Sequence, residues 1–89
     1  MRQKVVLITG ANGEIGHGLI QYLAENTDCN IVALDVVPLD KSLRCLVSTY
    51  IVGDILDQML LGRLVVEHQI ATIYHLASIL STKAEYNPE

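Results

Sequence analysis

The chain has 89 residues, which is one small domain or part of a larger one, and a chain of this size has a marginal core. Half of its residues (51%) are hydrophobic, mostly aliphatic, a composition that suits buried parallel strands covered by helices. This excess of aliphatic residues predicts that further protein structure covers part of their surface. The net charge of −4 argues against a nucleic-acid binder, and the N-terminal apolar run, residues 5–8, is too short for a signal peptide or a membrane span.

The first part of the chain predicts a strand, a helix and a second strand. Residues 4–8 form a continuous apolar run that ends at Thr9-Gly10, as a buried strand does. From residue 15 to about residue 26 the apolar side chains recur with helical period, and the inward stripe comprises Ile15, Leu19, Ile20 and Leu23. Residues 30–36 predict the second strand, which is stopped by Pro38.

The second part predicts another strand, helix and strand. Residues 38–47 are ambiguous, and we expect an irregular connection with one helical turn. Residues 48–52 are rich in β-branched side chains and predict a third strand, closed by Gly53-Asp54. Asp57 is a candidate cap for a helix through residues 56–69, and residues 70–76 predict the fourth strand. The inward residues of that helix are expected to be Leu60, Leu61, Leu64 and Val65.

Strands that alternate with helices at this spacing indicate a parallel sheet with right-handed crossovers. We expect an α/β fold with the strands in the spatial order third, second, first, fourth, and with helices on the faces. The loop that follows each strand then lies along one edge of the sheet, its C-terminal edge. Open α/β sheets bind their ligands at that edge.

Three glycines follow the first strand, Gly10, Gly13 and Gly16, in the spacing G-x-x-G-x-x-G. In a strand–glycine–helix turn the first glycine permits the tight turn, the second lets a diphosphate approach the backbone, and the third lets helix and strand pack closely. The N–H groups at the helix start then offer an anion site. The alternative is that these glycines serve packing alone.

The second strand ends in an acid, Asp35, which lies 19 positions after Gly16. This is close to the roughly 20-residue spacing of a ribose-binding carboxylate. Such a carboxylate accepts hydrogen bonds from ribose hydroxyls and repels a 2′-phosphate, and the next residues, Val36 and Val37, carry no positive charge. We therefore predict a preference for NAD over NADP; the alternative is a solvated acid at a strand end.

These motifs resemble a known family. The stretches TGANGEIG (9–16), GDI (53–55) and YHLAS (74–78), with Asp35, are similar to the N-terminal part of the extended short-chain dehydrogenases, the NAD-dependent epimerase/dehydratase family. Residues 70–89 further resemble the short-chain-type L-threonine 3-dehydrogenases. The resemblance implies NAD as cofactor and a partial Rossmann-type domain over residues 1–89.

The resemblance also implies positions around the cofactor. Around the pyrophosphate it implies Gly10, Gly13, Glu14, Ile15 and Gly16. At the ribose and adenine it implies Asp35, Asp54 and Ile55. Towards the nicotinamide it implies Leu76, Ala77 and Ser78, with Ser81 near the substrate. Glu14 departs from the family pattern, and its charge should point away from a diphosphate.

Members of this family use a Tyr-x-x-x-Lys pair, in which Lys lowers the pKa of the Tyr that exchanges a proton with the substrate. None of the four tyrosines here is followed by Lys at that spacing. We therefore expect the chain to be inactive alone and to be the first part of a longer enzyme, with the catalytic and substrate-binding regions absent. The parent is predicted to be threonine-dehydrogenase-like or nucleotide-sugar-epimerase-like; the alternative is a non-enzymatic dinucleotide-binding or interaction module.

Remaining features set the expected partners and compartment. Cys29 and Cys45 fit no metal spacing and are expected to be reduced, packed thiols, which predicts a cytoplasmic protein. His75 is expected to be a hydrogen-bonded core residue, and no metal site is expected. The longer parent should take a small-molecule substrate, with neither nucleic acid nor membrane as partner. We expect a homo-oligomer, because the fourth strand is an apolar sheet edge without a charge or proline to block pairing.

Overall fold

The computed structural model describes residues 4–76. Every predicted element is present, and each begins and ends within two residues of its predicted bounds. The helical turn expected within residues 38–47 is also present, as the second helix. In chain order the elements are β1 (Val5–Thr9), α1 (Glu14–Asn26), β2 (Asn30–Asp35), α2 (Lys41–Arg44), β3 (Thr49–Val52), α3 (Gln58–His68) and β4 (Thr72–His75).

The strands form one parallel sheet in the order β3-β2-β1-β4, which confirms the predicted topology. The central pair is in register from Val5 opposite Asn30 to Thr9 opposite Leu34. β4 pairs with β1 from Thr72 opposite Val6, and β3 pairs with the end of β2. All strands therefore end along the same edge, which carries the glycine-rich turn.

The helices cover both faces of the sheet, because alternate side chains of a strand point to opposite faces. Val6 and Ile8 of β1 contribute to one apolar cluster, which α1 and α2 cover with Ile20, Leu23 and Leu43. Leu7 contributes to a second, smaller cluster on the other face, whose buried helical member is Leu64 of α3. We call these the α1-side and α3-side clusters. Leu60 and Leu61 pack against the α3-side cluster, as expected, and Val65 is half-buried.

Three expectations about single residues are wrong. Ile15 is 57% exposed and is not part of the inward stripe, because it lies in the first turn of α1, ahead of the cluster that Ile20 and Leu23 enter. His75 is exposed, since β4 is an edge strand, although it does form a hydrogen bond. Cys45 is exposed while Cys29 is half-buried, so only the latter is a packed thiol; both are free.

Across residues 4–76, no helix has the length and apolar character needed to cross a bilayer.

Candidate functional site

The glycine-rich turn begins where β1 ends. Gly10 has a φ of 68°, in the left-handed region that glycine adopts without steric cost. The turn closes when the Gly13 N–H donates to the Gly10 carbonyl over 3.2 Å, and the His17 N–H then donates to the Gly13 carbonyl over 2.9 Å. Gly13 is thus the N-cap of α1, and the chain passes from strand to helix in a few residues.

Gly16 brings the start of α1 against this turn. A Cβ atom at Gly16 would lie 2.6 Å from the carbonyl carbon and 2.8 Å from the Cα of Ala11, and it would also contact the Ala11 oxygen. These atoms belong to the backbone and cannot rotate away. Close packing of α1 against the turn therefore requires glycine at this position. The third glycine was predicted to allow packing of helix against strand; the atoms that it meets belong instead to the turn after the strand.

The N-terminus of α1 has no side-chain cap, since Gly13 supplies none. The N–H groups of a first helical turn lack intrahelical partners and carry the positive end of the helix dipole. Glu14 and Ile15, both predicted to lie by the pyrophosphate, are exposed in this turn. An exposed Glu14 side chain is free to turn towards solvent, which the presence of a diphosphate would require.

Asp35, at the end of β2, connects the glycine-rich turn to the end of β3. Its Oδ2 accepts the backbone N–H of Asn12 over 2.9 Å. Its Oδ1 accepts the N–H groups of Val36 over 2.7 Å and of Val37 over 3.4 Å. The Asp35 carbonyl accepts the Gly53 N–H over 2.9 Å. The structure therefore brings together the glycine-rich turn, Asp35 and the Gly53-Asp54 turn.

A second contact joins the glycine-rich turn to the loop after β2, and sequence reasoning missed it. Asn12 Oδ1 accepts the backbone N–H of Asp40 over 2.8 Å. Asp40 in turn caps α2, with its Oδ1 accepting from the Ser42 N–H over 2.9 Å and from the Ser42 hydroxyl over 2.8 Å. These bonds from Ser42 lower the pKa of Asp40 below its ordinary value of 3.8, the backbone N–H having the largest effect. The only sequence signal was a side-chain amide placed between two glycines.

At the end of β3, Asp54 and Ile55 have different environments. Asp54 is exposed, and its Oδ1 accepts the Leu56 N–H over 2.9 Å. Ile55 packs against the α3-side cluster. Their predicted contacts with adenine stay predictions, and the packing of Ile55 gives that side chain a structural role as well.

At the end of β4, the described residues stop at Leu76. Leu76 is half-buried and packs against the α1-side cluster. His75 Nδ1 lies 3.1 Å from the hydroxyl oxygen of Thr9, so the ends of β4 and β1 are joined by a side-chain hydrogen bond. The other residues predicted on the path to nicotinamide and substrate lie outside the described residues; these are Ala77, Ser78 and Ser81.

Two cations, Lys41 and Arg44, lie in α2; Lys41 is exposed, whereas the side chain of Arg44 is engaged. Arg44 Nε donates to the Leu39 carbonyl over 2.8 Å, and its guanidinium carbon lies 4.9 Å from the centre of the Tyr50 ring, a cation–π distance. Among residues 4–76, no cluster of His, Cys, Asp and Glu side chains is arranged to hold a metal ion.

A separate cleft of about 360 Å³ lies at the opposite edge of the sheet, beside the N-terminal ends of the strands, where Lys4, Thr27, Thr72 and Tyr74 contribute to its lining. None of the predicted site residues belongs to it. The predicted site residues that the structure describes lie instead at the C-terminal edge, where Gly13 is half-buried and Glu14 and Ile15 are exposed. We therefore take this edge, and not the cleft, as the candidate site.

Comparison with known proteins finds relatives that share the name L-threonine 3-dehydrogenase. The chain is 33% identical to mitochondrial L-threonine 3-dehydrogenase of cattle over 85 residues, which is 96% of this chain and 23% of the relative. It is 34% identical to a human protein named inactive L-threonine 3-dehydrogenase, mitochondrial, over 92% of this chain and 36% of the relative. The chain thus spans about a quarter of the bovine relative's length.

A solved structure agrees with these relatives. MoeE5, determined in complex with UDP-glucuronic acid and NAD, matches 79% of this chain and 21% of its own, with a TM-score of 0.59 and 37% sequence identity. The sequence profile of a single family covers residues 6–89, nearly the whole chain. With its four-stranded sheet and glycine-rich turn, the chain belongs to the NAD-dependent epimerase/dehydratase family.

Proposed function

We propose that this chain forms the part of an NAD site that binds the adenosine diphosphate of the cofactor, within an oxidoreductase or epimerase of its family. Bound NAD would supply the hydride acceptor. Asp35 carries the proposal, because it is the carboxylate that lies directly beside the glycine-rich turn. Gly10 and Gly16 are buried and shape the turn, Gly13 is half-buried and presents no side chain to a pyrophosphate, and the uncapped start of α1 supplies N–H donors.

The hydrogen bonds of Asp35 leave room for a ligand. A carboxylate has about four lone-pair sites, and within residues 4–76 Oδ1 accepts two bonds while Oδ2 accepts one. Oδ2 can therefore accept a ribose hydroxyl without losing the Asn12 contact. A 2′-phosphate at that place would meet the carboxylate charge. Of the two cations of α2, Arg44 is held by Leu39 and Tyr50 and Lys41 is exposed, so the charge of Asp35 is the observation that favours NAD over NADP.

Titration calorimetry with NAD and with NADP tests this proposal. The unmodified chain should bind NAD more tightly, and Asp35→Ala should weaken NAD binding by about tenfold or more, as loss of a charge-assisted hydrogen bond does. The ratio of the two affinities should move towards one. Asp28→Ala is a matched control, since Asp28 is exposed at the opposite edge of the sheet. Equal or tighter binding of NADP by the unmodified chain would refute the assignment of Asp35.

Two kinds of substrate are proposed for the complete enzyme. The relatives named L-threonine 3-dehydrogenase favour an amino-acid alcohol. The MoeE5 complex with UDP-glucuronic acid favours a nucleotide sugar. The adenosine half of the site does not discriminate between them, so the roles of Leu76, Ala77, Ser78 and Ser81 towards nicotinamide and substrate remain part of the proposal.

A non-enzymatic dinucleotide-binding module is the second candidate. It is favoured by the human relative, whose name calls it inactive. NAD binding without turnover by the complete protein would support it.

A cytoplasmic location is likewise a proposal. The names of the relatives place those proteins in mitochondria, which makes mitochondrial import the alternative to test by fractionation.

A further inference from the structure

Asn12 forms a hydrogen bond with each of the two segments that border the candidate ribose site. Its backbone N–H donates to Asp35 Oδ2 over 2.9 Å, and its side-chain Oδ1 accepts the Asp40 N–H over 2.8 Å. The first bond fixes one oxygen of the carboxylate. The second fixes the far end of residues 36–40, the loop that follows Asp35.

The same loop holds the other oxygen of Asp35. Val36 and Val37 donate their N–H groups to Asp35 Oδ1 over 2.7 and 3.4 Å. The position of the loop therefore sets the rotation of the carboxylate about its own axis. The hydrogen bonds of Asn12 and Asp35, together with the backbone of residues 36–40, close a ring, which we call the Asn12 ring.

We propose that Asn12 is a positioning residue: its side chain holds the loop after β2 so that the Asp35 carboxylate faces the adenosine ribose and discriminates between NAD and NADP. This inference rests on the proposed function. Asn12 itself need not touch the cofactor, because it acts through the loop and through Asp35.

Little else in the described chain holds this loop. Val36 is 64% exposed and Val37 is 45% exposed, and Pro38 is exposed as well. Leu39 anchors one point, because its side chain is buried in the α1-side cluster and its carbonyl accepts Arg44 Nε over 2.8 Å; the helix that follows, α2, is a single turn. The bond from Asp40 to Asn12 supplies the second anchor, and two anchors are needed to fix the orientation of so short a segment.

The experiment measures the affinities for NAD and NADP by calorimetry in a set of variants. Asn12→Ala should weaken NAD binding by about fivefold, as expected for one hydrogen bond, and should weaken NADP binding much less. The ratio of affinities therefore falls. A variant that merely unfolds part of the population would lower both affinities by the same factor.

The donor can be removed independently of Asn12. Asp40 has a φ of −54°, which proline can adopt, and proline has no N–H. Asp40→Pro and Asp40→Ala both lose the capping carboxylate, but only Asp40→Pro loses the bond to Asn12. The ratio of NAD affinity to NADP affinity should therefore be lower in Asp40→Pro than in Asp40→Ala, by about the factor that Asn12→Ala causes in the unmodified chain. The double variant Asn12→Ala/Asp40→Pro should have the same ratio as Asp40→Pro alone. Asn26→Ala is a control for loss of an amide, since Asn26 bonds only Tyr22 at the far end of α1 among the described residues.

The outcomes separate this inference from the function on which it rests. If the unmodified chain binds neither cofactor, the proposed function falls, and the inference with it. If it prefers NAD and Asn12→Ala leaves the ratio unchanged, only the role of Asn12 is overturned. The role of Asn12 is also overturned if Asp40→Pro and Asp40→Ala have the same ratio of NAD affinity to NADP affinity. A fall of the ratio in both Asn12→Ala and Asp40→Pro supports the positioning role.

Discussion

Gly16 and Gly18 lie on the same helix and differ in a way that permits a stringent test. A Cβ atom at Gly16 would lie 2.6 Å from the Ala11 carbonyl carbon, whereas one at Gly18 has nothing within 4 Å. Replacing either glycine by alanine should gain about 0.8–1.0 kcal/mol of helix propensity. Only Gly16→Ala must also separate α1 from the glycine-rich turn: the Ala11 carbonyl carbon would have to recede by about 0.8 Å to reach the 3.4 Å of ordinary contact, and the Ala11 oxygen, which lies closer still, by more.

The difference between the two variants isolates this steric effect. Overpacking against a rigid neighbour costs about 1–3 kcal/mol, so the free energy of unfolding of Gly18→Ala should exceed that of Gly16→Ala by about 2 kcal/mol. For a domain of this size that is a difference in Tm of about 8–16 °C. Gly18→Ala should also be more stable than the unmodified chain.

Urea and thermal unfolding followed by circular dichroism measure these values. NAD affinity should fall in Gly16→Ala, because the turn moves away from the start of α1, and should be unchanged in Gly18→Ala. If the two variants are equally stable, the close contact between Gly16 and Ala11 does not exist as described, and the argument for the turn fails with it.

Three further predictions concern charge, chemistry and assembly. Because the pKa of Asp40 is lowered in the folded chain, its carboxylate should stabilise the fold above its ordinary pKa and lose that effect as pH falls through the lower folded value. The Tm of the unmodified chain should therefore exceed that of Asp40→Asn by less below pH 3.8 than above it. A Tm difference that does not change with pH would contradict this. The chain should not reduce NAD with threonine, since its sequence lacks a Tyr-x-x-x-Lys pair; turnover above the buffer rate would show that other groups perform the chemistry. Sedimentation velocity over a concentration series should detect self-association through β4, where Ile73 is 50% and Tyr74 is 36% exposed, and a monomer at high concentration would exclude it.

The fold could be predicted because local pattern and topology agreed throughout. The run of residues 4–8 and the helical period after Gly13 gave β1 and α1, and Asp57 caps α3 as expected, with its Oδ1 accepting the Leu60 N–H over 3.1 Å. Periodicity failed at Ile15, because a stripe of the right spacing does not show where a helix first meets its core. It also failed at His75, where an edge strand leaves side chains exposed that a central strand would bury.

The candidate site could be predicted only in part. Strand ends and glycine spacing identified Gly10, Gly13, Gly16 and Asp35, which the structure brings to one edge. The Asn12 ring could not be found in this way, because the bond between Asn12 and Asp40 joins residues 28 positions apart and depends on the path of an irregular loop. Such contacts follow from the tertiary structure and leave no periodic signal in the sequence.

The register of the sheet has a consequence for the order in which the chain assembles. Val6 pairs with Ile31 across 25 positions of sequence, but with Thr72 across 66 positions. Closing the longer loop costs about 0.9 kcal/mol more in chain entropy, so β1, α1 and β2 should associate first, and with them the glycine-rich turn and Asp35. Until β4 docks, one edge of β1 remains open to pairing with any other strand. A high concentration of the chain would favour that wrong pairing. The glycine-rich turn and Asp35 would already be in place while the edge of β1 is still open.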